Sequence, residues 1–156
     1  MNILAIGAHF DDVELGCGGA LARHVDEGDS VFAYVATVSG YTNINNQIVR
    51  TKEDASLEGK QAMQILGVNL IAGNFSTLGV EFNEEINSEI LRIVENEKID
   101  LVYAPWVGDI HHDHQTVARA ALHSCRHVPR FLMYRSNWYH SPNYFHENYY
   151  VDITSY

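Results

Sequence analysis

Basic residues are scarce in this sequence. Ten Lys and Arg stand against 20 Asp and Glu in 156 residues, a formal net charge of −10. So acidic a chain repels phosphate backbones and anionic headgroups, which argues against nucleic acid or a membrane surface as a partner. Cysteine is as sparse. Cys17 and Cys125 make no disulfide framework and suit a reducing compartment, so a cytoplasmic location is expected. No apolar run reaches the ~18 residues of a membrane span. Met1-Asn2-Ile3-Leu4 enters a strand-like run without the basic n-region of a signal peptide, so none is expected. No internal repeat, low-complexity tract or linker interrupts the chain. Histidine, by contrast, is abundant: nine in all, seven of them from His111 onward.

Hydrophobic content of 46% with 19% charged residues excludes a disordered chain. The length predicts one domain over residues 1–156. Strand and helix patterns alternate along it. Residues 2–8, 30–38, 68–72, 101–105 and 131–134 read as strands, being short, apolar and rich in β-branched or aromatic side chains. Residues 15–27, 48–66, 83–98 and 113–125 read as helices, with Gly28 and Gly67 as stops. Residues 39–46 read as a loop, and 149–154 as a candidate sixth strand. This order predicts an α/β fold, a Rossmann-like three-layer sandwich with a mostly parallel sheet. Six tyrosines and Trp138 fall between Tyr134 and Tyr156, where little periodicity remains.

Two clusters carry chemistry. Ala-His-Phe-Asp-Asp-Val-Glu-Leu-Gly-Cys-Gly-Gly, residues 8–19, follows the first strand and opens a helix. Asp-Ile-His-His-Asp-His, residues 109–114, follows the fourth strand and opens another. Open α/β sheets bind ligands at the carboxyl ends of strands, where neighbouring crossovers diverge. A 3-2-1-4 strand order would set the two clusters face to face. Together they supply His9, Asp12 and His114, two imidazoles and a carboxylate with a fourth position open, as in catalytic zinc sites. Asp11, Glu14, His111 and His112 remain as types suited to a general base and an oxyanion stabiliser.

Singly, each residue has a plainer reading. Asp11 and Asp12 suit a helix start, Asp113 an ordinary N-cap, and His9 a satisfied buried histidine. Three histidines within residues 111–114 are harder to assign to packing, and both clusters lie at matching strand ends. Gly16, Gly18 and Gly19 suggest a dinucleotide loop, but the fingerprint needs glycine where Leu21 stands, and acidic residues would face the pyrophosphate. These glycines are read as allowing close backbone approach behind the loop.

On these residues the chain resembles the LmbE-like, or PIG-L, family of zinc-dependent N-deacetylases. That family opens with Ala-His-Pro-Asp-Asp-x-Glu and Gly-Cys-Gly-Gly and carries a later His-x-Asp-His. The resemblance covers the chain from Met1 to about Thr154. It implies that His9, Asp12 and His114 bind Zn2+, that Asp11 is the general base, that His111 polarises the substrate carbonyl, and that Asp113 orients His111. It implies a small-molecule N-acetyl sugar substrate of N-acetylglucosamine type, on a nucleotide or lipid conjugate, and a homo-oligomeric protein. Phe10 stands where the family has Pro. Arg50 is the nearest match to an Arg preceding the Leu-Gly helix, at a different spacing. Relatives continue with another helix, so this domain is expected to lack its C-terminal part and to leave apolar surface near Val151 and Ile153 exposed or covered by a partner chain.

The expected activity is therefore removal of acetyl from an N-acetylated sugar by a metal-dependent amide hydrolase. Two rivals stand beside it. One is a non-haem iron oxygenase using His9, Asp11 and His114 as its triad. The other is a sugar-binding module with a degraded site.

Overall fold

The computed structural model describes residues 1–136 and 140–156. Its centre is β1 (Asn2–Gly7), where alternation sends Ile3 and Ala5 to one face of a sheet and Leu4 and Ile6 to the other. All four are fully buried, which explains the unbroken apolar run: a strand covered on both faces has no polar side. The chain continues through α1 (Asp12–Asp26), β2 (Ser30–Thr37), β3 (Tyr41–Thr42), β4 (Ile48–Arg50), α2 (Lys52–Leu66) and β5 (Asn69–Phe75). It ends with α3 (Glu84–Asn96), β6 (Leu101–Pro105), α4 (His112–Ser124) and β7 (Arg130–Tyr134).

Five strands form one sheet in the order β5-β2-β1-β6-β7, and every neighbouring pair is parallel. Val13 and Leu21 of α1 and Met63 of α2 pack with Ile3, Ala5, Val31 and Leu101 on one face. Ile86 and Ile90 of α3 and Val117 and Ala121 of α4 pack with Leu4, Ile6 and Val102 on the other. The fold is thus the expected α/β three-layer sandwich. It also removes the structural basis of the oxygenase rival, which would call for alternating strands without helices. The helices leaving β1 and β6 cover opposite faces, so the loops after these adjacent strands border one crevice. Among the described residues, no helix is long and apolar enough to cross a membrane.

Local signals explain most boundaries. Gly28 takes φ 84 and donates its N–H to the Val25 carbonyl at 3.0 Å; Gly67 closes α2 at φ 71. Both are left-handed positions that favour glycine. Three expectations fail. Residues 48–66 are not one helix, because Ile48–Arg50 pairs antiparallel with Tyr41–Thr42, which also puts a short strand in the expected loop. The helix starts at Thr51, whose hydroxyl accepts the Asp54 N–H at 3.0 Å. The fourth helix begins before residue 113, and its N-cap is His111, not Asp113.

The third failure is residues 149–154, which form no strand. Instead the tail lies against α1. Ile153 packs so closely on Gly19 that a Cβ there would meet its Cδ1 at 2.8 Å. Val151 is half-buried against the α1 side of the core, while Ile153 keeps 47% of its surface exposed. The apolar surface at Val151 and Ile153 is therefore covered in part by the chain's own α1. Trp138 and Tyr139 of the aromatic tail lie outside the described residues.

Candidate metal centre

The loop after β1 turns sharply, because its first helical residue bonds backward. Asp12 Oδ2 accepts the Ala8 N–H at 3.0 Å and the His9 N–H at 2.8 Å. This folds residues 8–12 into a knot and leaves Asp11 at φ 130, in strained backbone. Phe10, which replaces the family's Pro, is buried against α2: a Cβ on Gly59 would fall within its ring. The Phe10 N–H donates to Ser39 Oγ at 2.9 Å, a bond proline could not make. The stiffness lost with proline is thus replaced by packing and one hydrogen bond. Close approach behind the loop explains Gly16, since any Cβ there would collide with the Tyr134 ring, whose hydroxyl donates to the Ile6 carbonyl at 2.6 Å.

Across the crevice, α4 begins with His111 capping the helix: its Nδ1 accepts the Asp113 N–H at 3.2 Å. His114 lies one turn on and is buried. The structure brings His9, Asp12 and His114 together. His9 Nδ1 and His114 Nε2 are 3.2 Å apart, His114 Nε2 and Asp12 Oδ1 3.1 Å, and His9 Nδ1 and Asp12 Oδ2 3.5 Å. Ligands ~2.0–2.1 Å from a tetrahedral zinc stand about 3.3 Å from one another, so the spacing fits a metal ion. His111 also offers a nitrogen within 4.8 Å of nitrogens on His9 and His114. Its ring stacks on His114 with centroids 4.5 Å apart. The described residues therefore hold a cluster able to bind a metal.

The His9 and His114 rings are each oriented from behind by a carboxylate. Asp109 Oδ2 lies 3.1 Å from His114 Nδ1, and Asp109 Oδ1 accepts the His111 N–H at 2.9 Å. Asp113 Oδ2 lies 2.9 Å from His9 Nε2 and accepts the Leu78 N–H at 2.7 Å, while Oδ1 accepts the Val80 N–H at 3.3 Å. This corrects one expectation: the Asp113 carboxylate orients His9, not His111. The Asp113 carboxylate meets the His9 ring, whereas the His111 ring accepts the Asp113 backbone N–H. Such partners fix the tautomer and direction of metal-ligating histidines.

The electrostatics follow. Burial disfavours charge on Asp12, but hydrogen bonds from His114 and His9 outweigh it and hold the carboxyl well below the usual range. Burial likewise opposes a charged His9, yet Asp113 and Asp12 raise it to about 9. His114 is raised against the same penalty by Asp12 and Asp109. His111 differs. Burial and the two neighbouring histidines lower its pKa, which favours the neutral ring. With Nδ1 accepting a hydrogen bond, its proton sits on Nε2. His111 is thus placed to donate from Nε2. Asp11 moves upward, through partial desolvation and the Asp12 charge.

Several participants went unassigned in the sequence. Asp109 lay inside the second cluster without a role. Ser136 donates to Asp12 Oδ1 at 3.1 Å from 124 residues away and carries no local signal. Arg50 reaches the Phe10 carbonyl at 3.3 Å beside Asp11. Other imidazoles have structural posts. His24 lies between Asp29, at 2.8 Å, and the Tyr103 hydroxyl, at 3.1 Å; His112 Nε2 lies 3.0 Å from the Val80 carbonyl.

The chain is similar in sequence and fold to known proteins. The family model described as PIG-L, GlcNAc-PI de-N-acetylase, matches residues 4–125. The uncharacterized deacetylase YaiS of Escherichia coli is 36% identical over 147 residues, 88% of this chain and 76% of that protein. The diacetylchitobiose deacetylase of Thermococcus kodakarensis is 30% identical over 121 residues, 73% of this chain, which spans only 45% of that enzyme. Among solved structures, the conserved protein TT1542 from Thermus thermophilus superimposes with a TM-score of 0.73 at 28% identity, over 90% of this chain and 68% of its own. With its parallel sheet, its histidine–carboxylate cluster and these relatives, the chain belongs to the PIG-L (LmbE-like) deacetylase family.

Proposed function

We propose that the protein is a zinc-dependent N-deacetylase that removes acetyl from an N-acetylated sugar of N-acetylglucosamine type. The observation that carries this reading is the approach of His9 Nδ1, Asp12 and His114 Nε2 to within 3.1–3.5 Å of one another at the switch point of the sheet. These three residues would hold the metal. Once bound, it supplies a Lewis acid and lowers the pKa of water toward ~7. Asp11, with its raised pKa, takes the proton of the attacking water as oxygen adds to the amide carbon. It then passes that proton to the leaving amine. His111 donates its Nε2–H to the developing oxyanion. Asp113 and Asp109 keep His9 and His114 aimed. Residues 1–156 act as one domain.

The test pairs metal analysis with acetate release. Zinc-loaded protein should contain one metal per chain and release acetate from N-acetylglucosamine or its disaccharide. Asp11→Asn should keep the metal and lose about 10²–10⁴ in turnover, the usual worth of a general base. Metal loss in Asp11→Asn would make Asp11 a ligand and overturn its role as base. Sugar binding without acetate release would favour a binding module.

A further inference from the structure

The two oxygens of Asp12 have different neighbours. An ionised carboxylate offers about four acceptor positions, roughly two on each oxygen. Oδ2 uses both of its own on backbone, the Ala8 N–H at 3.0 Å and the His9 N–H at 2.8 Å. Oδ1 is left to serve the cluster. His114 Nε2 stands 3.1 Å from it. The Ser136 hydroxyl donates to the same oxygen, also at 3.1 Å. One acceptor position of Oδ1 is therefore fixed by a neutral donor, and the other faces a histidine nitrogen of the centre.

Ser136 is held in place from both sides. Upstream, the Tyr134 hydroxyl donates to the Ile6 carbonyl at 2.6 Å, and the Tyr134 carbonyl accepts the Trp106 N–H at 2.8 Å. Downstream, Ser141 Oγ donates to the Gly108 carbonyl at 2.7 Å. The chain around Ser136 is thus tied to β1 and to the loop after β6, the two elements that lead into the cluster. Ser136 is buried, so bulk water does not take its place on Oδ1. The bond is not needed to fold residues 8–12, because the two N–H groups on Oδ2 already do so. It acts on the other oxygen. Held at Oδ2 alone, the carboxylate would rock about that oxygen and carry Oδ1 with it. A second anchor sets its plane, as hydrogen bonds behind a ligating carboxylate do.

We propose that Ser136 is a positioning residue of the metal centre, whose hydroxyl aims Asp12 Oδ1 at the space shared with His9 and His114. The inference rests on the assignment of these three residues as ligands and deepens it, naming the oxygen that faces the metal and the group that holds it.

The test compares two buried serines. Ser124, at the far end of α4, donates its hydroxyl to the Asn87 carbonyl at 2.9 Å, so Ser124→Ala is a matched loss of one buried bond remote from the cluster. Zinc affinity of the unaltered chain, Ser136→Ala and Ser124→Ala is measured by competition with a chelator, and melting of each metal-free chain checks that it folds. Ser136→Ala should bind zinc about tenfold more weakly, the lower end for a residue behind a ligand. Ser124→Ala should bind as the unaltered chain does. Equal weakening in both variants, undiminished affinity in Ser136→Ala, or a Ser136→Ala chain that does not fold would make this hydroxyl a structural bond and overturn the inference. Each of those results leaves the ligand assignment standing. If the unaltered chain binds no zinc, the ligand assignment falls and the inference falls with it.

Discussion

After β1, Asp12 folds back onto the N–H groups of Ala8 and His9, and Asp11 is left at φ 130. After β6, a turn at residues 107–108 leads into the helix and the rings are aimed by side chains, Asp109 behind His114 and Asp113 behind His9. One loop is positioned by its own backbone, the other by carboxylate struts. The difference matters for tolerance. A strut can be removed and leave its histidine in place but loosely aimed. The knot around Asp12 cannot be removed piecemeal, because one carboxylate both shapes the loop and faces the rings.

The sharpest way to break the comparison is therefore Asp12→Ala. It should abolish tight metal binding and all acetate release, read by metal analysis of the purified chain. Stoichiometric metal in that variant would sink the ligand assignment. Next comes His111→Ala, which should keep the metal and lose about 10²–10³ in kcat, the typical worth of one oxyanion donor. Loss of the metal instead would move His111 into the ligand set with His9 and His114. Removing a strut should cost less. Asp113→Asn should weaken metal affinity by about 10–100-fold, the range for residues behind a ligand, measured by competition with a chelator. If Asp113→Asn matched Asp12→Ala in severity, the distinction between knot and strut would fail.

The smallest effect concerns pH in the metal-free chain. The folded pKa of His9 is raised from 6.5 to about 9, with Asp113 and Asp12 outweighing burial. A raised histidine pKa stabilises the fold fully below about 6.5, and that stabilisation fades as pH rises through about 9. The metal-free thermal midpoint should fall over that window. Zinc-loaded protein, whose ligands must be deprotonated, should show the opposite trend as affinity grows with pH. Parallel melting curves for the two forms would contradict the assignment.

Much of the fold was legible because β1 and β2 are buried on both faces and so spell uninterrupted apolar runs. The hairpin was not. Ile48 and Val49 are apolar but exposed, and they run directly into the α2 sequence. Only the Thr51–Asp54 cap marks the break. At the site, His9, Asp12 and His114 were readable from residue type and strand-end position. The partner of Asp113 was not, because it depends on which ring packing brings near: His111 is two residues away in sequence, yet His9, 104 residues away, receives the carboxylate. Ser136 has the same character, a contact made by the sheet order alone.

Phe10 and Gly59 have a consequence for inheritance. The aromatic ring lies where any side chain at Gly59 would stand, and its N–H is committed to Ser39. Position 59 bears no chemistry and sits on the outer helix, yet it is one peptide removed from control of both His9 and Asp11. The three positions form a single allelic unit. A return to proline at 10 surrenders the Ser39 bond and empties the space over Gly59, so it succeeds only alongside a larger residue at 59. Substitution at 59 alone displaces the ring and, with it, the loop that carries His9 and Asp11. Change at this candidate metal centre is thus gated from a helix outside the histidine–carboxylate cluster.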